Sequence, residues 1–464
     1  MLKPMILAMA VALSGCAVIG PNYERPASPA SGIIGRGDAA TVAVPSWDVY
    51  FSDPTLNALI KRALDNNRDL RVAVANIEVA RAQYGITNAD RLPTLSVGGS
   101  ATINHVPASL SSTGQSMTSR RYDANVALAS FELDFWGRVA RLSESAKASY
   151  LATEEAQRTA KLSLIAEVAN SYYNLLALNE EADFARKTAK TREDYAKVIG
   201  RKVDIGSANR LDQLQAENSL DSALSDSASL SRQAETARTA LGLLVGDNGP
   251  LPMASGKGVA ALPLPQRLPQ GLSSDVLLDR PDVRQAEQQL IAANANVGAA
   301  RAAFFPKITL VGSAGVASDS LGDLFKGDRG AWSFLPSITL PIFDFGRTKS
   351  NLDLASARKN VAVAQYEKAV QQAFKDTADV LSDQRWLAEQ LTVQERLAQH
   401  QEERLKLARA RYDVGVIGYL DVLDAERDSY NAQQSLIETR RARLANSATA
   451  YKVLGGADQA TTAQ

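Results

Sequence analysis

A mainly α-helical, internally duplicated chain carrying two β-hairpins is the fold class this sequence predicts. The first observation is the distribution of helix breakers. Neither glycine nor proline occurs between Gly137 and Gly200, or between Gly346 and Gly415. The second is a repeated pattern. Asp69-Leu70-Arg71…Gly85…Leu92-Pro93 returns as Asp282-Val283-Arg284…Gly298…Phe305-Pro306 at one offset (282 − 69 = 213). Asp134-Phe135-Trp136-Gly137-Arg138 returns as Asp344-Phe345-Gly346-Arg347. Asp204-Ile205-Gly206…Asp212…Ala216-Glu217 returns as Asp413-Val414-Gly415…Asp421…Ala425-Glu426 (413 − 204 = 209). The third is period-two alternation in short segments between the helical runs.

Each breaker-free run is rich in alanine, leucine and paired charges, which suits a helix. At 1.5 Å per residue, each would be a rod roughly 90–100 Å long. Shorter helices return along the rods, Leu211 to Leu244 and Leu420 to Leu454, and others precede the strands, Pro54 to Arg91 and Asp282 to Ala303. Leu95, Val97, Gly99, Ala101 and Ile103 alternate with small polar residues, and Ile308, Leu310, Gly312 and Ala314 open the matching strand. Their partners run from Tyr122 to Phe135 and from Trp332 to Phe343, making hairpins within 93–135 and 306–343.

The remaining boundaries follow. Lys3 and an apolar stretch lead into Leu13-Ser14-Gly15-Cys16, which resembles the lipobox of bacterial lipoproteins. Residues 1–15 then read as a signal peptide and Cys16 as the lipid attachment site. Cys16 is the only cysteine of the 464 residues, so no intrachain disulfide is available. Residues 16–52 form an extended anchored segment, 53–245 a first repeat, 246–280 a proline-rich linker, 281–456 a second repeat, and 457–464 a tail. The 51 basic and 51 acidic residues cancel, giving no signal for nucleic acid.

Strands of about ten alternating residues have the length of membrane-spanning β-strands, although a small soluble sheet with one wet face alternates equally well. Four strands cannot close a barrel, and lipid does not tolerate an open edge. A homotrimer sharing a 12-stranded β-barrel, with the long helices forming a coiled-coil barrel, is the simplest closed arrangement.

Gly20-Pro21-Asn22-Tyr23-Glu24-Arg25-Pro26, Phe51-Ser52-Asp53-Pro54-Thr55-Leu56, Leu277-Leu278-Asp279-Arg280-Pro281 and Phe304-Phe305-Pro306-Lys307 together resemble signatures of the TolC family, in its NodT/OprM-like lipoprotein branch. The resemblance implies an outer-membrane exit duct for small molecules, docked through a periplasmic adaptor onto an inner-membrane pump of the resistance-nodulation-division (RND) type. It also implies that Gly415 to Ala425 forms a periplasmic tip, where Asp421 and Asp424 ring an aperture. These two are spaced to share one face in the first turn of the returning helix. Arg427 would tether that face to a neighbouring helix, and Asp212 would tether two coils at the first-repeat tip. Gln215 stands where the second repeat has Asp424, so the second repeat would supply the gate.

With His105 and His400 the only histidines, a histidine-based catalytic or metal site is not expected. Gly312-Ser313-Ala314-Gly315 lacks nucleophile-elbow spacing, and Gly256-Lys257-Gly258 has no phosphate-loop context. No enzyme, cofactor or metal is expected. The competing readings are a duct for secreted proteins and a non-conducting periplasmic scaffold.

Overall fold

The computed structural model describes residues 19–27, 45–112, 114–247, 249–252, 258–263 and 277–456. Cys16, the signal segment, the tail and most of the linker lie outside them. The described elements are α1 (Trp47–Tyr50), α2 (Pro54–Asn66), α3 (Arg68–Ala89), β1 (Leu95–Val106), β2 (Met117–Leu133), α4 (Arg138–Asp204) and α5 (Arg210–Val245). They continue with α6 (Pro281–Ala302), β3 (Lys307–Ser318), β4 (Gly330–Thr339), α7 (Arg347–Asp413) and α8 (Tyr419–Val453). No described helix is long and apolar enough to cross a membrane.

The rods α4 and α7 have 67 residues each, about 100 Å at helical rise. Both end identically. Gly206 and Gly415 take left-handed φ values of 69° and 76°. The next residue's N–H reaches back to the rod, Ser207 to the Lys202 carbonyl at 2.8 Å and Val416 to the Arg411 carbonyl at 2.9 Å. Glycine at this position lets the last helical carbonyls be satisfied without a Cβ clash.

The chain divides into two compact units. One gathers the chain up to Ala27 with Asn76–Glu154 and Gln285–Glu367, and it holds a single antiparallel sheet in the order β1-β2-β3-β4. Here residues 19–27 form a strap over α6. Tyr23 Oη and the Arg25 guanidinium donate to the buried Glu287 carboxylate at 2.7–2.9 Å. Asn294 donates to the Pro21 carbonyl, and Gly20 lies so close to Gly298 that a Cβ would sit 2.6 Å from its Cα. Trp136 joins the hairpin bases, its indole N–H donating to the Pro306 carbonyl at 2.9 Å and its ring stacked on Phe305.

The other unit gathers Ser28–Ala75, Glu155–Arg284 and Lys368–Gln464. Its core packs Phe51, Leu56, Leu59 and Ile60 against Ile165, Val168, Tyr172, Leu241 and Tyr451. Asp53 accepts hydrogen bonds from the Thr55 N–H that begins α2 and from Tyr172 Oη, pinning that helix start to α4.

The structure departs from the sequence reading at three points. The helix expected over Pro54 to Arg91 breaks at Asn67, which is extended at ψ 131°. Its side chain accepts from Leu70 N–H and donates to the Leu244 carbonyl, ending one helix and starting the next. β2 begins at Met117 rather than Tyr122, because its extra residues complete the ladder to Val106. α4 runs through Gly200, whose cost of about 1 kcal/mol a long helix absorbs.

Asn67→Ala should cost roughly 1–3 kcal/mol, since it removes a cap and leaves a buried carbonyl unpaired. Asn66→Ala, losing only a bond to the Arg62 carbonyl of its own helix, should cost less. Equal shifts in Tm for the two variants would refute the break's anchoring role.

Candidate functional site: a two-faced sheet and an acidic helix tip

The strand register sorts the sheet into two chemistries. One face carries the rows Val97–Val126–Ala314–Trp332, Leu95–Leu128–Gly312–Phe334 and Leu133–Ile308–Ile338. The other carries Ser96, Ser100, Thr102, Asn104, Asp123, Asn125, Thr309, Ser313, Ser333, Ser337 and Thr339, with Val106, Met117, Val311 and Leu335 as its larger apolar members. A register shift between Leu128 and Phe131 puts an extra residue into β2 and keeps both side chains on the apolar face. Val97 is 85% exposed, Trp332 80% and Ile338 70%, so the apolar face is uncovered in the single chain. A contiguous apolar surface of this kind has a partner of its own polarity. β1 and β4 are the sheet's edges, each with one side unpaired.

At the polar-face end of β2, Glu132 takes two bonds from Arg138 (2.6 and 2.7 Å) and one ion pair from Lys307 (3.2 Å). Trp136 and this triad explain the two motifs Asp134–Arg138 and Phe304–Lys307: they tie the exit of one hairpin to the entrance of the next.

The helix tip is built from the ends of α4, α5, α7 and α8. Asp212 and Asp421, at equivalent positions of the two repeats, do the same local work. Asp212 accepts from Asn209 N–H at 3.3 Å while Asn209 Oδ1 accepts from Asp212 N–H, and Asp421 accepts from Gly418 N–H at 3.2 Å. Both carboxylates cap helix starts, where the exposed N–H groups and the helix dipole favour negative charge. Asp424, the sixth residue of α8, lies in the second turn rather than the first. Its carboxylate pairs with Arg427 at 3.2 Å, and Arg427 also meets Asp428, so this guanidinium serves its own helix within the chain. Asp421 and Asp424 line one cavity of about 520 Å³ with His400, Glu403, Arg404 and Arg411.

Sequence reasoning missed the most connected group at the tip. Glu426, largely buried, accepts from Arg409 of α7 at 2.8 Å and faces Arg192 of α4 at 3.5 Å. Arg192 also donates to the Ser219 carbonyl of α5, so one carboxylate and two guanidinium groups link four helices. Tyr195 and Tyr419 stack at 4.2 Å beside them, and burial raises both phenol pKa values. Arg404 holds the Asp428 carboxyl below the usual carboxylate range. The sequence signal was the recurrence of Glu217 as Glu426, but nothing in it distinguished their partners: among the described residues Glu217 is met by Gln213 of its own helix.

Glu426→Gln should loosen the tip, costing roughly 1–3 kcal/mol through the two arginines left without their shared carboxylate, whereas Glu217→Gln should be near neutral. Amide hydrogen exchange across 405–425 reads the difference, and equal protection in both variants would remove Glu426 from this role.

Comparison with known proteins gives the same answer from three directions. The family model described as outer membrane efflux protein matches residues 59–247 and 272–456. The toluene efflux pump outer membrane protein TtgF of Pseudomonas putida is 41% identical, covering 97% of this chain and 96% of its own. The cation efflux system protein CusC of Escherichia coli K12 is 39% identical, covering 98% and 99%. The open-state outer-membrane channel MtrE of Neisseria gonorrhoeae superposes with a TM-score of 0.86 at 39% identity, over 95% of this chain and 98% of that one. The chain therefore belongs to the outer membrane efflux protein family, and it is an outer-membrane channel component of an efflux system.

Proposed function

We propose that three copies of this chain close a 12-stranded barrel in the outer membrane and continue it as a helical duct into the periplasm. The observation that carries this reading is the two-faced sheet with both edges unpaired. A sheet whose apolar face meets hydrocarbon must have every backbone group paired, and a polar inner face suits a water-filled pore. Four strands make no closed barrel, and eight leave no room for water, so twelve from three chains is the smallest conducting solution.

In this arrangement Asp421 and Asp424 from three chains line the periplasmic aperture, with Arg427 screening Asp424 and Asp212 tethering the first-repeat coil. Carboxylates converging on one axis attract cations and resist full closure. Cys16 carries the lipid anchor. A periplasmic adaptor receives the tip and connects it to an inner-membrane RND-type pump. The duct performs no catalysis. It passes small toxic molecules, and the relatives named for toluene and for cations agree with a duct whose cargo is chosen upstream.

Planar-bilayer recordings test the pore and its aperture together. Wild-type protein should give small cation-selective steps, and Asp421→Ala with Asp424→Ala should lose most of the selectivity. Selectivity unchanged in the double variant would move the aperture elsewhere. The barrel has its own test. Val126→Arg, on the apolar face, should cost about 2–4 kcal/mol of membrane stability, whereas Asn125→Arg on the neighbouring polar position should be tolerated. Equal urea resistance of the two in lipid would contradict the assignment of faces.

A further inference from the structure

The sheet's two faces treat charge differently. On the polar face, ionised side chains of the strands meet opposite charge: Arg121 donates to Asp123 at 2.8–3.0 Å, and Glu132 meets Arg138 and Lys307. On the apolar face the register places one side chain that is ionised at neutral pH among the described strand residues, Arg120, opposite Ile103. Arg120 is exposed and has no hydrogen-bond or ion-pair partner among the described residues. Two residues further along each strand, His105 Nδ1 lies 2.9 Å from Thr118 Oγ1 on the same face. Asp319, which follows β3 past the Tyr122↔Ser318 pair, is met by the Ser318 hydroxyl at 3.5 Å.

Height explains how an arginine is tolerated there. On the lipid face of a barrel, arginine costs about 2–4 kcal/mol at the midplane but only about 0–1 kcal/mol near the interfaces. Leu133, the last residue of β2, stands 13 residues from Arg120 (133 − 120). At about 3.3 Å per residue and a tilt of roughly 40°, that is about 30 Å along the membrane normal, just past an apolar band about 25 Å tall. Tyr122, two residues nearer Leu133, falls at the top of that band, where girdle aromatics sit. Arg120, Thr118 and His105 thus stand at headgroup height, at the loop end of the hairpin.

We infer that Arg120, with Thr118 and His105, forms a binding site for the phosphate of an outer-leaflet glycolipid. The inference rests on the membrane barrel proposed above and assigns it a lipid ligand. With the duct reaching into the periplasm, the hairpin loops open outward, where the leaflet is built of phosphorylated glycolipid. A guanidinium fork matches phosphate oxygens, and the hydroxyl and imidazole add polar contacts beside it. Ile103 and Tyr122 flank the site with apolar surface for the first part of the acyl chains. Arg121 is excluded, because it lies on the opposite face and is held by Asp123.

Full-length protein in neutral detergent is titrated with fluorescent diphosphorylated lipid A, with the same lipid stripped of its phosphates, and with phosphatidylglycerol. Light scattering confirms that the variants compared share the wild-type mass. Wild type should bind diphosphorylated lipid A at least fivefold tighter than either other lipid. Arg120→Ala should lose at least fivefold of that affinity, whereas Arg121→Ala should stay within twofold of wild type. Equal affinities of the two variants overturn the role of Arg120. Indifference to the phosphates overturns phosphate recognition, and equally tight phosphatidylglycerol overturns the glycolipid as occupant. Trp332 tests the barrel reading separately, because it lies on the apolar face. Its fluorescence, isolated by subtracting a Trp332→Phe variant, should be quenched by brominated phospholipid in liposomes. Absence of quenching overturns the barrel reading and the site with it. Quenching with full affinity in Arg120→Ala overturns the site alone.

Discussion

Backbone hydrogen bonding in an apolar medium is the constraint on which the rest of this molecule turns. A peptide N–H or C=O facing hydrocarbon without a partner costs several kcal/mol, and the sheet leaves a row of such groups along β1 and another along β4. Everything about the sheet is arranged for those rows to be met by strands of the same kind. The apolar face is continuous, the irregularity in β2 preserves its phase, and the second hairpin repeats the first pair for pair.

The helical tip obeys a different logic. There the two repeats share their turn geometry, down to left-handed glycines and carboxylates that cap the returning helices, yet differ in what they bind. Glu426 draws arginines from two other helices, whereas Glu217 keeps to its own. Shared backbone chemistry fixes the shape, and the side chain of Glu426 in the second repeat ties the two coils together.

The parts of the fold that depend on local chemistry were legible in the sequence. The absence of glycine and proline located the rods to within a few residues, and period-two alternation located the strands. What depends on distant partners was not. Asparagine is no helix breaker in itself, and Asn67 interrupts a helix only because the Leu244 carbonyl waits beside it. The extra residues of β2, 117–121, are mostly polar, and their strand pairing follows from the ladder to β1. At the tip, the helix-start position of Asp421 could be read, but Asp424, the sixth residue of α8, falls in its second turn rather than its first. The Glu426 hub stayed hidden because its partner Arg192 lies 234 residues away (426 − 192).

The strap over α6 bears on how the protein is handled at the bench. Glu287 is a buried carboxylate whose hydrogen-bond donors, Tyr23 and Arg25, both come from residues 19–27. A version trimmed at the first well-formed helix would strip those donors and strand a negative charge in the wall of α6. A cut placed before Ile19 keeps the charge matched and spares the Gly20–Gly298 contact. Those nine residues, 19–27, belong to the folded body, and any comparison of anchored with unanchored protein has to retain them.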